Sequence, residues 1–398
     1  RPGRRTAQRR RTQVAAGVLH HVHEALGARF GEVAGREVVR HYGDPEREYA
    51  AARNDAVVVD RADRAFVRMH GREPVRMIHG LVSNDVAGAP PGQGVYAAML
   101  TAKGKMVADV LVLRRAQGDV LLELDAGALG NVLDHLRRFV PPLFARSEDV
   151  SGALGVLGVY GPAARRVVGA ALATVLPEGM AEDAFVTVPL TGVAAGASAG
   201  SGESGDAAAR PEALVVRTLY AGVDGYDVVV PTERIETVWR ALVNAGARPA
   251  GHGTLETLRI EAGRPRWGAD MDETTIPLEA GLRERAISET KGCYTGQEVI
   301  VRILHRGHVN WHLRGLLLGE VPAPARGTTL VRAGETKPVG RVTSACASPV
   351  HGQTIALGYV RREVEPPAEL RLGGPEGPPV QVVALPFEES VRGEQGAG

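Results

Sequence analysis

The densest chemistry in the sequence is Lys291-Gly-Cys-Tyr-Thr-Gly-Gln-Glu298, followed at once by the apolar Val299-Ile-Val-Arg-Ile-Leu304. Thr295 and Glu298 have the Thr-x-x-Glu spacing of a capping box, which predicts a helix starting there and stopping at Gly307. Cys293 then falls two residues before the N-cap and beside Lys291. The positive end of a helix dipole and a nearby cation both lower a thiol pKa and make a thiolate available for reaction or soft-metal contact. The competing reading is a buried small hydrophobe, the common state of a free cysteine. Local physics leaves both open.

Other chemistry-bearing residues carry less. His20, His21 and His23 lie close together, but no paired ligand elsewhere completes a metal site, and none is expected. Val156–Val168 reads strand, Gly158, Gly161-Pro162, then helix; the spacing is not Gly-x-Gly-x-x-Gly and no acid ends a second strand about 20 residues on, so a plain strand–turn–helix corner is expected. Arg302, His305, Arg306 and His308 place positive charge along and past the motif helix, where it suits an acidic ligand tail, an acidic partner or plain solvent.

The elements that must position these residues follow from periodicity. Strands are expected near Met106–Arg114 and Val120–Leu124 around Gly118. A helix over Leu129–Val140 follows, with Leu129, Val132, Leu133 and Leu136 on one face and Pro141 as its stop. The same layout recurs: strands near Ala213–Leu219 and Tyr226–Val230, then a helix with Thr232 as N-cap, Ile235, Val238, Trp239 and Leu242 inward, and Gly246 as C-cap. Residues 192–211, rich in Gly, Ala and Ser, read as a flexible insertion. After Trp311, short apolar runs alternate with Gly and Pro turns and no helical period appears, the texture of a small β-barrel. The expected fold class is α+β: a basic tail at 1–30, a body of strand pairs with packed helices at 31–311, and a β-barrel domain at 312–398.

Composition bounds the function. The chain has 398 residues and a formal net charge of +1, so no global field points to nucleic acid or a membrane surface. Aromatics are 4%, too few for a base-stacking platform. Two cysteines, Cys293 and Cys346, build no disulfide framework and fit a reducing cytoplasm. No apolar run reaches membrane-spanning length. The expectation is a cytoplasmic, monomeric protein with no direct nucleic-acid or membrane partner.

The Lys-Gly-Cys-Tyr-x-Gly-Gln-Glu stretch resembles the signature of the YgfZ family and its mitochondrial iron–sulfur assembly counterpart, relatives of the glycine-cleavage T-protein. T-proteins resemble this segment too, but usually carry an acidic residue and Phe at the places of Cys293 and Tyr294, and a basic residue near Gln297. Leu258-Arg-Ile-Glu-Ala-Gly263 is similar to an element shared by both branches. Trp267–Leu282, with Asp270-Met-Asp-Glu273, looks more like T-protein. Gly80-Leu-Val-Ser-Asn-Asp85 and Gly94–Asp109 resemble the family's Asn-Asp turn and its strand–turn–strand. The resemblance covers roughly Val38 to Leu385.

What the resemblance implies is a tetrahydrofolate-binding protein with a T-protein-like body closed by a C-terminal barrel. It places Glu261 on the pterin, where one carboxylate accepts two parallel N–H bonds from an aminopyrimidine edge; spacing alone favours an acid paired with Arg259 or Arg264. It places Asp109 near the carbon-unit end as a proton-handling group, although Ala108 replaces the first of two acids that T-proteins often have there. Arg259, Asn84, Tyr96, Lys291, Tyr294 and Gln297 join the binding set, with Cys293 and Asp109 as the reactive pair. The main expectation is support of iron–sulfur enzymes, tRNA-modifying ones included, with weak or absent catalysis of its own. The alternative is an aminomethyltransferase moving a one-carbon unit to tetrahydrofolate.

Overall fold

The computed structural model describes residues 16–116, 118–193 and 211–387. Its strands form two large sheets, a small hairpin and a closed barrel. The first sheet is antiparallel and runs Val95–Leu100, Met106–Ala116, Asp119–Asp125, Arg64–His70, Arg146–Asp149. The second runs Phe185–Pro189, Glu212–Thr218, Gly225–Pro231, Leu154–Tyr160, Val57–Asp60, with the two-residue Arg248–Pro249 added in parallel at its edge.

Each sheet buries one face under a helix and turns the other toward its neighbour. Helix Leu129–Phe139 sends Val132 and Leu136 into the first sheet's core beside Val67, Val110, Val112 and Leu122. Helix Ile235–Asn244 sends Val238, Trp239 and Leu242 into the second, beside Val159, Val215 and Val228. Strand side chains alternate between faces, so Phe66, Leu113 and Leu121 point the other way and meet Val156, Phe185, Leu214 and Val229 between the sheets. The barrel closes in the order Trp311–Gly319, Gln353–Arg361, Pro338–Ser348, Thr329–Val331, Ala368–Leu372, Pro379–Val383, and returns to its first strand. The α+β body and the C-terminal barrel are therefore as the sequence implies, and Gly246, at φ +110°, ends its helix as expected.

Three local expectations are corrected. Regular structure begins before residue 31: helix His20–Ala25 is followed by strand Arg29–Val33, Leu19 is fully buried, and His23 bonds Asp60 at 3.0 Å. Residues 1–15 of the expected tail, residues 194–210 of the expected insertion and residues 388–398 lie outside the described residues. Thr232 does not cap a helix; it opens a 3₁₀ turn, Thr232–Arg234, and its hydroxyl donates to the Gly152 carbonyl. Thr295 and Glu298 form no capping box. The helix is Gln297–Arg306 and its N-cap is Gly296 at φ +84°, with no side-chain cap. A Cβ on Gly296 would meet the Thr101 carbonyl at 2.5 Å, so close backbone approach to the Thr101–Gly104 turn, rather than capping, sets where this helix begins.

Candidate functional site

The space between the two sheets is apolar in one half and polar in the other. Leu111 lies opposite Glu123 in the ladder of Met106–Ala116 with Asp119–Asp125, so Asp109, Glu123 and Asp125 share the face that Leu113 and Leu121 use lower down. Across from them, on the second sheet, Asp227 accepts from the Tyr160 hydroxyl at 2.7 Å, and Arg61 donates to Tyr160 at 2.8 Å and grips Asp63 with two bonds. Gly158 makes room for this: a Cβ there would strike the Tyr160 hydroxyl. A cavity of about 310 Å³ with Arg61 and Arg64 in its wall opens at the edge of this layer.

Charges here are paired on one side only. The Tyr96 hydroxyl donates to Asp109 Oδ2 at 2.9 Å, and Arg64 donates to Glu123 Oε1 at 2.9 Å. Asp109 Oδ1, Glu123 Oε2 and Asp125 Oδ2 are buried with no hydrogen-bond partner among the described residues. Buried acceptors are normally satisfied, so three orphaned carboxylate oxygens in one layer call for donors from a ligand or water. Burial pushes the Asp125 carboxyl up to about 6. Beside them, Asp183 sits at a left-handed φ of +67°, its carboxyl pushed up to about 7, chiefly by burial and against the pull of Arg285. Arg285 stacks on Tyr96 at 4.4 Å and, with Arg264, pairs with Glu182.

The structure brings some of the expected residues together and not others. Asp109, Tyr96 and Asn84 are neighbours. Asn84 contributes position: its amide donates to the backbone carbonyls of Tyr96 and Arg285, and its oxygen accepts from the Asp85 N–H. Lys291 is engaged within the fold. Its ammonium donates to the carbonyls of His79, Val82 and Asn84, which uses all three of its protons, and burial lowers its pKa to about 8. Tyr294 is buried in the first sheet's core under Lys291, Gln297 begins the motif helix, and Cys293 is exposed.

Arg259 and Glu261 both lie on helix His252–Glu261. Arg259 is fully buried, its terminal nitrogens bonded to Asp270 and Glu256 at 2.6 Å each and to Ser344 at 2.7 Å, while its Nε has no partner among the described residues. Glu261 accepts from Tyr49 at 2.9 Å and from Ser348 of the barrel at 2.5 Å, pairs with neither Arg259 nor Arg264, and shares no bonding partner with Asp109. It lines a different cavity, of about 540 Å³, with Arg53, His351 and Phe387. Cys346 lies near Glu261, and burial pushes its thiol up to about 12. The residues that sequence reasoning missed are Glu123, Asp125, Asp183, Asp227 and Arg285. The signal for three of them was acids at alternate positions of otherwise apolar strands.

Two domain-family models match this chain: the GCVT N-terminal domain over residues 19–291 and the glycine cleavage T-protein C-terminal barrel domain over residues 312–387. The chain belongs to the glycine-cleavage T-protein family. Among its T-protein relatives, the aminomethyltransferase of Rubrobacter xylanophilus is 32% identical over 384 residues, 96% of each chain. That of Corynebacterium jeikeium is 31% identical over 359 residues, 88% of this chain and 90% of its own. The crystal structure of the glycine cleavage system aminomethyltransferase T from Bartonella henselae shares the fold, with a TM-score of 0.80 at 21% identity, covering 95% of this chain and 99% of that one. Among the described residues, no helix is long and apolar enough to cross a membrane, and no group of three or more His, Cys, Asp or Glu could hold a metal ion.

Proposed function

We propose that this T-protein-family chain is an aminomethyltransferase that uses tetrahydrofolate as one-carbon acceptor, with its site in the polar layer between the two sheets. The observation that carries this reading is the set of orphaned oxygens on Asp109, Glu123 and Asp125. An aminopyrimidine edge presents N–H donors, and this layer offers buried acceptors that lack them. Tetrahydrofolate would supply the amine that takes up the carbon unit. The chain's own part is to bind, orient and handle protons. Tyr96 holds one oxygen of Asp109, so the other keeps a fixed direction and can accept a ligand proton. Asp183, pushed up to about 7, is protonated in a substantial share of molecules at neutral pH and can return one. Arg285, flat on Tyr96, offers a guanidinium edge to an anionic group.

Calorimetry of tetrahydrofolate binding tests this, with Asp109→Asn and Glu261→Ala beside the wild type. Binding weakened in the first and kept in the second supports the interlayer site. No binding by the wild type sinks the folate reading.

A second reading, support of iron–sulfur enzymes, is favoured by one feature. Cys293 is exposed on the Lys291–Glu298 motif, held by Lys291 yet free of any disulfide. If that role is real, Cys293→Ser abolishes support of client iron–sulfur enzymes in cells while folate binding stays intact. Unchanged client activity would remove this reading.

A further inference from the structure

A further cavity, of about 260 Å³, lies where the body meets the barrel. Its walls come from Lys105 and the Thr274–Glu279 segment on the body side, from Asn310 and Trp311 at the junction, and from Arg341 and Tyr359 on the barrel. None of these residues takes part in the polar layer between the sheets.

Three features point to a ligand. Tyr359 is only 4% exposed, yet its hydroxyl has no hydrogen-bond partner among the described residues and lies in the cavity wall. The Thr275 hydroxyl beside it accepts the Asp272 N–H at 3.0 Å and turns its own proton to the Asp272 carboxylate at 3.4 Å. A buried hydroxyl without a partner costs free energy that the fold has no reason to spend. Next, the Arg341 guanidinium, exposed to solvent, stacks over Tyr359 at 5.6 Å and Trp311 at 6.0 Å and makes no hydrogen bond or ion pair among the described residues, so it is free to meet an anion. Lys105 adds a second cation, with only the Thr274 carbonyl on its ammonium. Last, Glu279 is buried, and its one bond among the described residues, from the Ile276 N–H, uses a single carboxylate oxygen.

We propose that this junction cavity binds a small α-amino carboxylate. The ligand's carboxylate meets Arg341 and Lys105 and accepts the Tyr359 proton, and its ammonium group meets the free oxygen of Glu279. The cavity carries both signs, the buried Glu279 and the solvent-facing Arg341 and Lys105, so a zwitterion meets both where a plain anion or a plain amine meets one. Trp311 gives the aliphatic part an apolar wall. Since body and barrel both contribute, the bound molecule fastens the two together. The proposal does not depend on the folate reading.

The test is calorimetry on the full chain with L-alanine, propionate and ethylamine, the last two being the halves of the first. L-alanine is expected to bind and each half to bind at least about tenfold more weakly, the loss of one charge-assisted pair. Propionate binding as tightly as L-alanine overturns the proposal, as does no binding of L-alanine. Tyr359→Phe is the discriminating variant. It removes an orphaned hydroxyl, so the ligand-free melting temperature should stay or rise, while L-alanine binding should fall about tenfold. Unchanged L-alanine affinity in both Tyr359→Phe and Arg341→Ala overturns the site. Tetrahydrofolate affinity, read in the same variants, should not move.

Discussion

The Tyr96 hydroxyl donates to Asp109 across adjacent strands, at 2.9 Å, and leaves the other carboxylate oxygen of Asp109 buried and unpartnered. This half-satisfied acid is the sharpest expression of the polar layer. Asp109→Asn should lower one-carbon transfer by at least about a hundredfold, the range for loss of a positioned proton-handling group. Tyr96→Phe should cost less, because the carboxylate survives but loses its fixed direction. Single-turnover rates for both variants measure this; equal losses would mean that Tyr96 does more than position.

A pH dependence follows from Asp183. Its carboxyl is raised in the folded chain to about 7, so the folded protein retains a proton that the unfolded chain has released. Stability from this group is full below about pH 4 and is lost as pH rises through about 7. Asp183→Asn should therefore be more stable than wild type at pH 8, by about 1–2 kcal/mol. Near pH 4 it should gain nothing. Urea midpoints at the two pH values decide it.

Glu261 is expected to matter for stability and not for the interlayer site. Glu261→Ala leaves the hydroxyls of Tyr49 and Ser348 without their acceptor and should cost about 1–3 kcal/mol. Tetrahydrofolate affinity should stay within about twofold. A large drop in affinity at unchanged stability would return Glu261 to the ligand.

Arg259 holds a heavier structural share. Removing it strands the buried Asp270 and the carboxylate of Glu256, both within 2.6 Å of its guanidinium. Arg259→Met should lose about 3–5 kcal/mol, the penalty for breaking a buried ion pair on one side. Denaturant unfolding of the variant gives the number, and restoration by Asp270→Asn in the same chain would show that the stranded acid is the cause.

Much of the architecture was legible because it is local. The apolar faces of Leu129–Phe139 and Ile235–Asn244 are written in their three- and four-residue spacing, and the barrel is visible as short runs cut by Gly and Pro. The candidate site was legible in part. Resemblance singled out Asp109 and Tyr96, but Glu123, Asp125 and Asp227 come together only when two sheets stack, and no local pattern encodes that. The motif misled for the same reason. Thr295 and Glu298 have capping-box spacing, yet the position of the helix is set by contact between Gly296 and a turn nearly 200 residues away in sequence. Lys291 looked like a charge near a reactive thiol; its three acceptors, the carbonyls of His79, Val82 and Asn84, could not be foreseen from its neighbours.

The closed barrel has a mechanical consequence. Every one of its six strands has a neighbour on both sides, so the ring offers no end from which to fray and no open ladder on which a foreign strand can dock. One edge of the second sheet solves the same problem differently, ending at the two-residue Arg248–Pro249, whose proline cannot extend the ladder. A ring must break two ladders to release any one strand. Its amides should therefore exchange with solvent together, as one unit, and whatever recognises this end of the protein must read its side chains.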